Sequence, residues 1–262
     1  MMKGTVLIVG LLLLASLEIL RVYYIMPFPG SQYDNNIDTA YFVNTNIWWL
    51  RAVAAAIAIL PLLYLMRKGK VEQKIIIVIG LVFYAAVIYY CNFKLSAERI
   101  FGQLKEKKFV PAVLTTTNAY QPVMGIVVNG QAKAYPVELV AYHHQIRDTV
   151  AGQPVLVTFC TMCRQGCVFS PFAEGKYLTF KLKGMYHNNA MFEDTETKSW
   201  WMQATGKAIA GPLEGTLLPA MPYEQMPMRN WVLLHPNTLV MQPDPNYAQQ
   251  YFDFSHNRLK IF

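Results

Sequence analysis

The chain has 262 residues, of which 54% are hydrophobic, and it carries a formal net charge of +7. Residues 97–262 contain 15 basic and 12 acidic side chains, so most of the excess positive charge lies nearer the N-terminus. Since the C-terminal part has no dense basic stripe, the composition excludes a nucleic-acid-binding protein that relies on a basic surface.

Three apolar segments, residues 5–26, 47–66 and 75–91, precede the rest of the chain. A helix needs roughly 20 apolar residues to cross the hydrocarbon core, with a lower limit near 17. The sequence therefore predicts a membrane anchor over residues 1–96 and makes the lipid membrane a partner. The first segment carries Glu18 and Arg21, which favours a retained span over a cleaved signal peptide.

Lysine and arginine in the short loops predict the orientation of these spans. Residues 67–74 contain four basic side chains, whereas residues 27–46 contain none. The first loop is therefore predicted to face the outside and the second the cytoplasm. This arrangement gives a multi-pass protein of the cell membrane with a cytoplasmic N-terminus and an extracytoplasmic domain over residues 97–262. Lys94 and Arg99 argue the other way, but long domains cross largely regardless of charge.

Two charged residues within the spans have opposite signs. Glu18 in the first span and Arg51 in the second both fall towards the outer side of two antiparallel helices. We expect them to form an ion pair that fixes this helix pair.

The C-terminal part has the pattern of a mainly β domain. Residues 123–128 and 131–135 flank Asn129-Gly130, a dipeptide that favours a type I′ hairpin turn because both residues tolerate positive φ. Residues 136–144 predict a short helix that begins at proline. Further strand pairs are predicted at 146–150 with 154–159, 167–172 with 177–182 and 190–193 with 199–203, followed by a helix at 223–234 and a strand at 239–241. The predicted fold class is α+β: three transmembrane α-helices, then a mainly β extracytoplasmic domain with a few short helices.

The motif most indicative of chemistry is the C-x-x-C formed by Cys160 and Cys163, with Cys167 four residues further on. It directly follows the apolar strand at 155–159. In thioredoxin-like folds a helix follows the first cysteine. Gly166 and Pro171 disfavour such a helix here, so the sequence predicts a different fold.

Three uses of these cysteines remain open. A redox pair could have its thiolate favoured by Arg164 and a protonated His143. A copper or zinc site could use Cys160 and Cys163 with Cys167, His143, His144 or His187; no second ligand pair of the usual structural-zinc spacing is present. A structural disulfide between Cys160 and Cys163 would leave Cys167 without a partner among these cysteines.

Several segments together resemble the domain-of-unknown-function 3179 family of bacterial and archaeal proteins. They are residues 125–136 (GIVVNGQAKAYP), 143–154, 155–169, 184–194, 199–215 and 234–240, within a core at about 122–241. Some members are named as selenoproteins, with selenocysteine in the C-x-x-C region, and this resemblance implies redox chemistry. It matches Cys160, Cys163, His143, Asn188, Asn189 and Trp200 to family positions.

The sequence departs from the family in having Thr161-Met162 between the cysteines and a third thiol at Cys167. The leading hypothesis is an extracytoplasmic thiol–disulfide redox protein that acts on a protein thiol or redox partner. Cys160 would attack, Cys163 would resolve, and Arg164 and His143 would adjust their pKa values. The alternatives are a copper or zinc binding protein and a structural disulfide.

Overall fold

A computed structural model describes residues 2–33 and 36–256 of the chain. It divides into two compact units, Met1–Arg99 and Ile100–Phe262. Each unit has its own architecture.

The first unit is helical, with elements α1 (Met2–Tyr23), α2 (Ile37–Thr45), α3 (Ile47–Lys68) and α4 (Val71–Tyr89), then a π-helical turn (Tyr90–Lys94) and the short α5 (Ala97–Ile100). Among the described residues, α1, α3 and α4 with its π-helical extension are long and apolar enough to cross a membrane. The prediction of three long apolar helices at the N-terminus is confirmed. Helix α2 lies in a segment that was predicted only as a loop.

A buried carboxylate joins three segments of the helical unit. Glu18 on α1 accepts two hydrogen bonds from Arg51 on α3, at 2.6 Å from Nε and 2.8 Å from Nη2. The amide of Asn92, in the π-helical turn, donates to the same carboxylate at 3.2 Å. The predicted Glu18–Arg51 pair is confirmed, and these hydrogen bonds offset the high cost of a charge in an apolar medium.

The second unit is mostly β, as predicted, and its residues up to 256 form four sheets. The largest has the strand order β1 (Phe109–Pro111), β14 (Leu239–Met241), β3 (Gln131–Pro136), β2 (Pro122–Val128) and β13 (Glu224–Pro227). A second has the order β12 (Ala208–Ala210), β11 (Trp200–Met202), β10 (Asn189–Asp194) and β9 (Phe180–Tyr186). A third joins β4 (Gln145–Val150), β5 (Gln153–Cys160) and β6 (Gln165–Phe169), and the fourth pairs β7 (Phe172–Ala173) with β8 (Lys176–Tyr177).

Short helices accompany these sheets: α6 (Val137–His143), α7 (Met228–Leu234), α8 (Ala248–Ser255) and two 3₁₀ turns at Ala112–Leu114 and Pro245–Tyr247. The hairpin of β2 and β3 is confirmed with the predicted turn, in which Asn129 has φ 47° and Gly130 has φ 78°. Tyr251 of α8 is buried in the same apolar cluster as Tyr142 of α6. The C-terminal tail therefore completes the core of this unit.

Two element predictions are only partly correct. Of the predicted pair 167–172 with 177–182, the short hairpin around Glu174-Gly175 forms, with Phe172 opposite Tyr177, but residues 167–169 and 180–182 have other partners, because β6 pairs with β5 and β9 pairs with β10. Pro171 directly precedes β7 and has no backbone N–H to donate to a neighbouring strand. The hairpin around Glu174-Gly175 therefore has strands of only two residues each.

The predicted helix at 223–234 is also only partly correct. Its first part is strand β13, which pairs with β2, and helix α7 begins at Met228. Pro227 lies immediately before the helix with φ −58°. A proline is tolerated there, whereas inside the helix it would remove a hydrogen bond and clash with the preceding turn.

Candidate functional site

The C-x-x-C motif forms the tip of the hairpin between β5 and β6. Cys160 is the last residue of β5 and lies opposite Gln165, the first residue of β6. Arg164 closes the turn with φ 52°, a left-handed conformation. A strand, not a helix, therefore follows the motif, as expected from Gly166 and Pro171.

The turn brings two free thiols into contact. The Sγ atoms of Cys160 and Cys163 lie 2.9 Å apart, and the backbone N–H of Cys163 points to the Cys160 sulfur at 3.5 Å. Cys160 is only 1% exposed, whereas Cys163 is exposed. The two sulfurs thus differ in access, and only Cys163 is open to a bulky reactant.

A second hairpin turn lies against the sulfurs. Strands β9 and β10 are joined by His187 and Asn188, with φ 48° and 58°, as in a type I′ turn. The carbonyl oxygen of Asn188 lies 3.3 Å from the Cys163 sulfur and 3.9 Å from the Cys160 sulfur. Because a carbonyl oxygen only accepts, this contact favours the protonated thiol.

Asn189, the first residue of β10, provides the opposite polarity. Its Nδ2 donates to the Cys163 sulfur at 3.0 Å, and its Oδ1 accepts from the backbone N–H of Ala204 at 3.0 Å. A donor aimed at sulfur favours the thiolate. Cys163 is therefore held between a carbonyl that favours its thiol form and an amide that favours its thiolate.

The balance at Cys163 favours the thiol. Burial of its sulfur against the neighbouring turn raises the pKa of Cys163 to about 11, and the hydrogen bond with Cys160 adds to the rise, while the Asn189 donor acts against it. At pH 7 a thiol with that pKa is ionised to roughly one part in ten thousand. Cys163 is therefore mostly protonated at neutral pH.

His143 is engaged elsewhere in the domain. Its Nδ1 bonds to the carbonyl oxygen of Gly102, and its Nε2 lies 2.6 Å from the hydroxyl of Tyr251. Since Gly102 O can only accept, Nδ1 carries the proton and Nε2 accepts from Tyr251. Burial lowers the pKa of His143. These contacts do not provide the protonated imidazole beside the cysteines that the sequence suggested.

The other candidate residues from the sequence, His144, His187 and Arg164, each lie in a different environment. His144 is buried, with its ring centroid 4.4 Å from that of Phe101, and burial lowers its pKa to about 4. His187 lies in the turn that touches the cysteines, with its ring centroid 4.1 Å from that of Tyr186. Arg164 is exposed at the end of the cysteine turn.

Cys167 is buried on β6, and its sulfur lies 3.7 Å from the carbonyl oxygen of Ala204. Burial raises its pKa. Within residues 2–33 and 36–256, no three His, Cys, Asp or Glu side chains are grouped so that they could hold a metal ion. The structure thus supplies no assembled copper or zinc site from the set Cys160, Cys163, Cys167, His143, His144 and His187.

Sequence reasoning found the two cysteines but not the function of their neighbours. Asn188 and Asn189 were noted only as matches to family positions, and Gln203 was not considered a site residue. An available signal was the Asn-Asn pair between two predicted strands, because asparagine tolerates the left-handed φ of a tight turn. That turn is what aims Asn188 and Asn189 at the cysteines.

No curated protein and no solved structure matches the chain. One family does match, described as "Protein of unknown function (DUF3179)", over residues 102–257. The match extends beyond the core at about 122–241 on both sides and includes helix α8. The chain belongs to this family.

Proposed function

We propose that the chain is a membrane-anchored, extracytoplasmic thiol–disulfide redox protein in which Cys160 and Cys163 cycle between a dithiol and a disulfide. The observation that carries the proposal is the contact of two free thiols, 2.9 Å apart, of which one is buried and one exposed. An exposed thiol can meet a substrate, while a buried neighbour can resolve the product without competing for substrate.

This arrangement reverses the roles first assigned from the sequence. The thiolate of Cys163 attacks one sulfur of a substrate disulfide, which forms a mixed disulfide and releases the other sulfur as a thiolate that takes up a proton. Cys160 loses its proton and attacks the Cys163 sulfur. The Cys160–Cys163 disulfide forms, and the second substrate thiol leaves. Two electrons and two protons pass to the substrate.

The high pKa of Cys163 favours one direction of this exchange. Strongly oxidising pairs keep their reduced form stable as a thiolate. Here Cys163 stays mostly protonated at neutral pH, so a Cys163 thiolate adds little to the stability of the reduced form. We therefore expect the pair to donate electrons to a protein disulfide and to be reduced again by a second dithiol protein.

The location is part of the proposal. Three apolar helices support association with a membrane. The basic residues 67–74 support a cytoplasmic loop between α3 and α4, and hence an extracytoplasmic domain that carries the cysteines. Protein disulfides form and persist outside the cytoplasm, so a reducing cysteine pair at an extracytoplasmic site would have substrates there.

The test is a redox titration of the full-length chain in detergent. The protein is equilibrated in mixtures of reduced and oxidised dithiothreitol, free thiols are trapped, and peptides are identified by mass. We expect a reversible bond between Cys160 and Cys163 that is lost in Cys163→Ser and kept in the control Cys167→Ser. If no such bond forms, the proposal is wrong. A bond that resists reduction, and whose removal changes only stability, supports a structural disulfide instead.

A further inference from the structure

We infer that Asn189 is a positioning residue that activates Cys163, because a chain of buried amides fixes its donor against the Cys163 sulfur. The inference rests on the redox function proposed above and adds the group that promotes ionisation of the attacking thiol. It also assigns a role to Gln203 and Thr158, which orient Asn189 without touching the sulfur.

The orientation of the Asn189 amide follows from a backbone group. The N–H of Ala204 can only donate, so the atom that faces it must be Oδ1 of Asn189. Nδ2 then faces Cys163 at 3.0 Å and Gln203 Oε1 at 3.2 Å, and both of its hydrogens are used. A rotated amide would place two donors against each other at Ala204.

Gln203 is fixed in the same way from the other side. The carbonyl oxygen of Gln165 can only accept, so Nε2 of Gln203 faces it at 3.2 Å. The second hydrogen of Nε2 goes to the hydroxyl of Thr158 at 3.0 Å, and that hydroxyl donates to the carbonyl oxygen of Cys167 at 2.9 Å. Oε1 of Gln203 is therefore left as the acceptor for Asn189.

Burial makes this chain hard to rearrange. Asn189 is 5% exposed, Gln203 1% and Thr158 0%. A buried polar group that loses its partner is costly, and hydrogen bonds in a chain strengthen one another in a low-dielectric interior. The donor at Cys163 is thus organised before a substrate arrives, and it stays in place when the sulfur becomes negatively charged.

The consequence appears when the thiol proton leaves. In the thiol, the proton of Cys163 can bond to the carbonyl oxygen of Asn188. In the thiolate that contact turns repulsive, whereas the hydrogen bond from Asn189 remains favourable. Asn189 therefore lowers the cost of forming the nucleophile at a site where burial raises it.

The experiment measures alkylation of Cys163 by iodoacetamide from pH 7 to pH 11 in the full-length chain, with the labelled peptide quantified by mass spectrometry. Asn189→Ala should move the profile to higher pH and slow alkylation at pH 8 by about tenfold, the effect of one hydrogen bond to the thiolate. Gln203→Met should move it in the same direction by less. Glu174→Gln, at an exposed position in the turn of another hairpin, should leave it unchanged.

An unchanged profile in a folded Asn189→Ala protein would overturn the inference, even if the unfolding midpoint fell. If Asn189→Ala does not fold, the Gln203→Met profile decides by the same criterion. The redox titration of the unmodified chain separates the two proposals. A reversible disulfide with an unchanged Asn189→Ala profile rejects the inference alone, whereas a shifted profile without a reversible disulfide rejects the redox function alone.

Discussion

At the scale of single residues, Asp148 is held by three donors. Lys107 Nζ lies 2.6 Å from Oδ1, while Lys133 Nζ and the hydroxyl of Tyr135 lie 2.8 Å from Oδ2. Burial by itself would raise the pKa of this carboxyl. The hydrogen bonds from these three side chains, together with one from the backbone at Thr149, outweigh that effect, so its pKa is lowered.

This arrangement predicts a pH dependence of stability. Because the native pKa of Asp148 lies below the unfolded value, the unfolded chain binds more protons, and stability is lost as pH falls below about 4 through the native pKa. Asp148→Asn should cost about 2–4 kcal/mol at pH 7 and reduce this acid dependence. Denaturant unfolding of the full chain at pH 7, 5 and 3 measures both. The control Glu174→Gln, at an exposed position, should lose as much unfolding free energy between pH 7 and pH 3 as the unmodified chain. An equally large loss in Asp148→Asn would refute the prediction.

The candidate site was also only partly predictable at this scale. Cys160 and Cys163 are recognisable because three positions of sequence suffice to bring two thiols together. Gln203 and Thr158 meet across 45 positions, and the contact depends on how β11 and β5 are placed in two different sheets. No local pattern encodes that placement, so the groups that orient Asn189 could not be inferred.

At the scale of elements, the sequence predicted structure correctly where the backbone preferences of a few residues determine a turn. Asn129-Gly130 specifies its own turn, so the hairpin of β2 and β3 was predicted with nearly correct ends. The strand after the cysteines was assigned to the wrong partner, because an apolar run shows that a strand exists but not which edge it joins. The pairing of β6 with β5 follows from the turn 161–164, which the sequence did not reveal as a hairpin.

The hydrogen bond between Tyr251 of helix α8 and His143 leads to a prediction about stability. Tyr251→Phe removes the hydroxyl that donates to His143 Nε2 and leaves a buried acceptor without this partner. We expect a loss of about 1–3 kcal/mol in the free energy of unfolding and faster proteolysis near the C-terminus. Gln249→Ala is the matched control, since on the same helix it removes only an exposed hydrogen bond. Equal stability of the two variants would show that the His143–Tyr251 bond does not hold the helix.

At the scale of the whole molecule, the chain combines a helical unit with a family domain. The family match at residues 102–257 begins close to the boundary between the two units and ends just after α8. The apolar helices were predictable because the length of an apolar segment is a local property. The side of the membrane on which the cysteines lie depends on loop charges, which favour one orientation without a structural constraint.

The orientation predicts how Cys163 reacts in intact cells. After treatment with a membrane-impermeant phosphine to open any disulfide, a membrane-impermeant maleimide should label Cys163, because this thiol is exposed and the domain is proposed to lie outside. Cys163→Ser should lose that labelling. Lys70→Cys in the Cys163→Ser chain places an exposed thiol in the loop proposed to be cytoplasmic, and it should react only after the membrane is permeabilised. The opposite pattern would place the cysteine pair in the cytoplasm. The positive charge of residues 67–74 would then not determine the topology, and Lys94 with Arg99 would be the residues that do.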